Sequence, residues 1–232
     1  MPLFYADFLS TPLDILVECC LVEWAKRSVN TALVMLSGYH GKSSMEIINC
    51  HILAHGLGEI HKVLLGLHPM GLQLEEYLQS LPPQLLAESI DNLDSHGRSP
   101  LIYAVEHGLH CAVQTLVAFG ANVNGLRLGD TKMLTPLHLV FAGPAQDVTM
   151  HVARILIENR ANVDFRDSDG WTALLVTTSW DNYISMAILF EASVDITAQS
   201  YYGESVETLS ADPEILTKFW DVVLSPNLPE PT

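Results

Sequence analysis

Residues 94–104 read DSHGRSPLIYA, and three later stretches fall into register beneath them: DTKMLTPLHLV at 130–140, DSDGWTALLVT at 167–177 and SYYGESVETLS at 200–210. Each opens on Asp or Ser and passes two variable residues to a turn position, held by Gly97, Met133, Gly170 and Gly203. After one variable residue comes Ser or Thr, then a small residue or Pro. The turn positions lie 36, 37 and 33 residues apart, a period of 33 with insertions of 3 and 4. A second echo falls between them, AFGANVN at 118–124, ENRANVD at 158–164 and FEASVDI at 190–196, each closing a helical pattern.

The residue types have physical reasons. Gly at a tight turn supplies positive φ without steric cost. Ser or Thr before Pro starts a helix: the hydroxyl caps free N–H groups, and Pro occupies the first helical position, where no N–H is needed. Leu101, Ala104 and Val105 are expected to face the neighbouring repeat, with Gly108 ending that helix. Val113, Leu116 and Val117, at helical spacing, line a second helix behind it, closed by Gly120. A unit this small cannot bury its own apolar face, so stability must come from stacking.

The period of about 33 and the segment TPLHLV at 135–140, which departs from the T-P-L-H-x-A signature only at Val140, resemble the ankyrin repeat. SPLIYA at 99–104 keeps Pro, Leu and Ala, with Ile102 in place of His. The resemblance implies an all-α ankyrin-repeat solenoid of about three clear repeats and a divergent C-terminal one. The expected layout is a helical N-terminal cap over 1–90, repeats at 91–124, 125–164, 165–198 and 199–224, and a Pro-rich tail at 225–232. In the last repeat, Asp212-Pro213-Glu214 starts the expected second helix. The insertions GLRLG at 125–129 and GPAQD at 143–147 are expected to be loops.

Residues 1–90 do not show the template. They carry helical periodicity at 12–36 and 44–66, a turn at His68-Pro69-Met70-Gly71, and the short helix LQLEEYLQSL stopped by Pro82-Pro83. The segment from Ile60 to Leu101 resembles the lead-in that precedes the repeats in ankyrin proteins of filamentous fungi. Its expected role is to cover the first exposed face of the array.

Composition narrows the function. Of 232 residues, 49% are hydrophobic and 16% charged, enough for a sizeable core and too apolar for a disordered chain. Eleven Lys and Arg stand against 27 Asp and Glu, a net charge of -16, so nucleic acid and anionic membrane surfaces would be repelled. From Asp167 to Thr232 there are 11 acidic residues and a single basic one, Lys218; a partner drawn by charge would be basic. Cys19, Cys20, Cys50 and Cys111 form no CxxC pair and are expected to be reduced, mostly buried thiols. A start with Asp7 and Asp14 and no basic leader, and the lack of an N-x-S/T acceptor, point to an intracellular protein of the cytoplasm or nucleus. The run Leu13–Val22, interrupted by Asp14 and Glu18, is too short to span a membrane.

Two clusters invite a metal reading. His107, His110 and Cys111 lie on either side of a chain reversal, so their spacing is a by-product of the repeat. Cys50, His51, His55, Glu59 and His61 place His51 and His55 on one helix face, but Ile52 stands where an HExxH motif needs Glu. This second group supports the alternative of a metal-dependent enzyme or sensor; a self-associating scaffold is another. The preferred reading has no metal, no cofactor and no catalytic residue, since no nucleophile elbow, phosphate loop or dinucleotide fingerprint occurs.

What the scaffold leaves variable is expected to bind. In ankyrin-like solenoids those positions are the hairpin tips and the exposed side of each first helix. Here the tips carry His96, Arg98, Lys132, Leu134, Asp169, Trp171, Tyr201 and Tyr202. The first helices add Tyr103, Glu106, His107, Leu139, Ser179 and Trp180. Trp171, Trp180, Tyr201 and Tyr202 are expected to form an aromatic patch, aromatic side chains being common interface anchors. The ankyrin resemblance implies a protein-binding module, and the likeness to small fungal ankyrin proteins implies a regulatory adaptor or transcription co-regulator that holds other regulators without touching DNA; a monomer is favoured.

Overall fold

The computed structural model describes residues 48–49, 52–53, 55–67, 70–128, 132–142, 147–210 and 217. Within them every regular element is an α-helix and there is no strand, as in an ankyrin-repeat fold. The chain divides into two compact units, one of residues 1–122 with 127–130, the other of 123–126 with 131–232.

The first unit contains α1 (Glu59–Leu64), α2 (Leu74–Ser80), α3 (Pro83–Ser89), α4 (Pro100–Glu106) and α5 (His110–Ala118). Helix α4 packs on both α1 and α5, and α2 touches α1 and α5. The core holds Leu101, Ile102, Tyr103, Val113 and Leu116, all fully buried. In the second unit are α6 (Pro136–Phe141), α7 (Asp147–Glu158), α8 (Ala173–Ser179), α9 (Tyr183–Glu191) and α10 (Val206–Leu209). Helix α8 packs on α6, α9 and α10 around Leu174, Leu175, Met186 and Leu189.

The expected helix starts form. Ser99 Oγ accepts from Ile102 N (3.2 Å), Thr135 Oγ1 from His138 N (3.5 Å) and Thr172 Oγ1 from Leu175 N (3.4 Å), each followed by Pro or Ala at the first helical position. Pro83 does more than stop α2, because it opens α3 in the same way. The second helix expected at 212, the tail, the N-terminal helix at 12–36 and the loop 143–146 lie outside the described residues.

The repeated opening Asp or Ser explains itself in hydrogen bonds. Asp94 Oδ1 accepts from the backbone N–H of His96 and Arg98, and Asp167 Oδ1 from Asp169 and Trp171. Ser200 Oγ accepts from Tyr202 and Glu204. In each hairpin the opening residue also donates its N–H to the carbonyl four residues on: Arg98, Trp171 and Glu204. One short side chain thus satisfies the two N–H groups that the turn would otherwise strand.

The repeat's contacts begin earlier than the template does. His138 of α6 donates Nε2–H to Trp171 O (3.1 Å), tying a first helix to the next hairpin. His61 of α1 makes the same bond to Arg98 O (3.2 Å). Hairpin tips join in parallel: Ser95 N donates to His55 O, Ser168 N to Lys132 O and Tyr201 N to Asp169 O. Residues 55–66 therefore hold the place of a repeat's hairpin and first helix, inside the segment expected to be a cap.

Candidate partner-binding site

The tips differ sharply in what they leave exposed. In the first unit, four residues expected on the surface are instead buried. Tyr103 is fully buried, its ring stacked on His107 at 4.1 Å and edge-on to His61, with the Arg98 guanidinium 4.7 Å above it. Arg98 pairs with Asp94 (2.7 Å) and lies 3.6 Å from Glu106, which also meets Arg127 at 3.1 Å. His107 Nδ1–H donates to Tyr103 O (2.8 Å). The expectation that Arg98, Tyr103, Glu106 and His107 are free for a partner is thus corrected: an ion network and a ring stack use them to hold the first unit together. Aromatic and charged residues at variable positions gave no sign of this, since the network depends on Arg127 from the insertion GLRLG.

His96 is half-buried and its Nε2 faces Nδ1 of His55 within hydrogen-bonding reach. His61, by contrast, points to Arg98 O, and burial pushes its pKa down to about 4, so the ring is neutral. The residues of the metal alternative are therefore turned to different partners where they can be seen, Cys50 and His51 lying outside the described residues. Among the described residues no group of three His, Cys, Asp or Glu is placed to hold a metal ion. Cys111 is exposed, and the other three cysteines expected to be mostly buried lie outside the described residues.

In the second unit, Lys132 and Ser179 are exposed, while Leu134, Leu139, Asp169 and Trp171 are half-buried. Ser179 Oγ donates to Val176 O within its own helix. Trp171 has its N–H bound by Asp167 and its carbonyl by His138, so its backbone is part of the scaffold. Trp180 is 39% exposed but closes α8 at the end away from the hairpin, about 10 Å along the helix from Trp171. Trp180 thus stands at the opposite end of α8 from the hairpin tip.

Tyr201 and Tyr202 stand out, 69% and 77% exposed on the last hairpin. Their backbone is fixed: Tyr201 N donates to Asp169 O and Tyr202 N to Ser200 Oγ. The Tyr201 ring lies against Gly170, where an added Cβ would stand 2.8 Å from both Tyr201 Cδ1 and its N. Gly170 thus serves the turn and also makes room for the ring. Two adjacent phenols held outward on a rigid turn offer contact area at small entropic cost.

Comparison with known proteins fits this architecture. Residues 96–126 match the ankyrin-repeat family. Over 117 residues the chain is 27% identical to human transient receptor potential cation channel subfamily A member 1, a match covering 50% of this chain and 10% of that protein. The chain spans only about a tenth of that relative's length. Both matches rest on the repeat and lend no support to the fungal likeness of the 60–101 lead-in. No helix among the described residues is long and apolar enough to cross a membrane.

Proposed function

We propose that this chain is a non-enzymatic adaptor that holds a protein partner at the hairpin of residues 200–204. Ankyrin repeats are protein-interaction modules, and the fold here is of that type. The observation that carries the reading is the exposure of Tyr201 and Tyr202 on a turn whose N–H groups are already satisfied. Solvent exposure of two adjacent large aromatics is typical of contact sites.

Affinity capture with the immobilised chain tests this. A protein partner is expected whose recovery falls about ten-fold or more with Tyr201→Ala/Tyr202→Ala, the circular dichroism of the variant being unchanged. Equal recovery on a folded variant excludes the hairpin as the site.

A further inference from the structure

We infer that the segment seated on this hairpin is arginine-rich. The inference rests on the reading of residues 200–204 as the contact site and adds the chemistry of what lies there. Between Asp167 and Ser210 the chain has no Lys, Arg or His, while Asp169, Glu204 and Glu207 lie at or beside the tip. Asp169 is joined to Tyr201 through its backbone carbonyl, so its carboxylate and the Tyr201 ring belong to one corner of the surface. Glu204 Oε2 accepts from Ser200 Oγ (2.8 Å) and Glu207 Oε2 from Ser205 Oγ (3.2 Å), which holds both acids near the turn.

Of the arginines in this unit, Arg154 pairs with Glu191 at 3.1 Å, whereas Arg166 donates Nη1–H to Gln199 O (2.6 Å) at the base of the hairpin and sets one positive charge against its three carboxylates. Lys132 is exposed two tips earlier, on the hairpin before that of Asp169. The tip is therefore a pair of π faces in a negative field. An anionic partner, whether nucleic acid or acidic peptide, is repelled. Of the two cationic side chains, arginine fits better. Its guanidinium stacks flat on a phenol, is less strongly hydrated than an ammonium, and can still bridge to a carboxylate through its edge.

Fluorescence anisotropy with the full chain and three labelled peptides of equal length, alternating Arg–Ser, Lys–Ser and Glu–Ser, tests the inference. The arginine peptide is expected to bind about five-fold tighter than the lysine peptide, and the glutamate peptide not at all. Tyr202→Ala is expected to weaken the arginine peptide about five-fold, and Asp169→Asn two- to five-fold (roughly). Tyr202→Phe, which keeps the π face, should bind as the parent does. Equal binding of the arginine and lysine peptides, indifferent to Tyr202, would overturn the inference in favour of unspecific charge attraction. Absence of peptide binding alongside a captured protein that still depends on Tyr201 and Tyr202 overturns the arginine chemistry but leaves the site. Capture indifferent to both tyrosines overturns the site and the inference together.

Discussion

Among the described residues Met133, Arg160, Asp181 and Ser193 hold positive φ without being glycine, and each occupies a position where a sibling repeat has one: Gly97 or Gly170, Gly120, Gly108, and Gly120 again. The template placed Met133 at the turn, so its left-handed backbone (φ 51°) was legible from register alone, although a methionine there runs against local preference. Met133→Gly is expected to stabilise the fold by about 0.5–1 kcal/mol in urea unfolding, the relief of strain outweighing the added chain entropy; a loss would show that the side chain packs. Gly170→Ala should act oppositely, by about 2–4 kcal/mol, because the new Cβ meets Tyr201 and φ is +81°. The buried rings add a pH dependence. Burial lowers the pKa of His61 to about 4 and moves His138 the same way. The unfolded chain, near 6.5, therefore binds the proton first, so stability is intact above about pH 6.5 and is withdrawn as pH falls toward 4. For His61 the loss is on the order of 3 kcal/mol. The urea midpoint should drop across that range, and drop less in His61→Gln, whose amide can still donate to Arg98 O.

Helices and their caps were the most readable elements, because Ser99, Thr135 and Thr172 announce them by chemistry that acts within three residues. The insertion at 125–129 was not readable in the same way. It was expected to be a loop, yet Leu128 N donates to Gly97 O (3.0 Å) and Arg127 is buried against Glu106. Nothing local to GLRLG names a carboxylate some twenty residues back, so only the tertiary fold reveals the pairing. Glu106→Ala would remove the buried carboxylate that both Arg98 and Arg127 meet and should cost about 3–5 kcal/mol. A cost under about 1 kcal/mol in urea unfolding would mean that water already screens the network. The reverse truncation, Arg127→Ala, is expected to speed hydrogen exchange at Leu128 N, the amide that the insertion donates.

At the scale of the whole molecule, the period of the turn residues identified the repeat but located its start too late. Residues 55–66 lack the Ser/Thr cap and the Pro, and α1 begins on Gly58 with no side-chain cap. What survives is Ile60-His61, the counterpart of Leu137-His138, and only the shared bond to the next hairpin's carbonyl makes that pair of residues meaningful. Exposure at the variable positions was half legible. Tyr201 and Tyr202 were read as contacts and are exposed, but Tyr103, His107 and Arg98, chosen by the same rule, are packed inside, since position in the template does not report burial. Net charge acts at this scale too. With -16 overall, capture of a basic partner should weaken as salt rises from about 0.05 to 0.5 M, the screening length shrinking several-fold. Retention that ignores salt would argue for an apolar contact instead.

A ladder of short side chains runs from one repeat's end to the next: Asp91 accepts from Asn122 N, Asn124 from Asn162 N, and Asp164 from Asp195 N. The Asn124 rung works in both directions, since its amide also donates to Arg160 O (3.2 Å). Asn124 is followed by Gly125, the neighbour that least hinders attack of the backbone nitrogen on the side-chain amide. Conversion to a carboxylate would erase the donor and set a negative charge against that carbonyl, so the protein carries its own clock: stored samples should accumulate a form deamidated at Asn124, read by peptide mapping, with this rung weakened first.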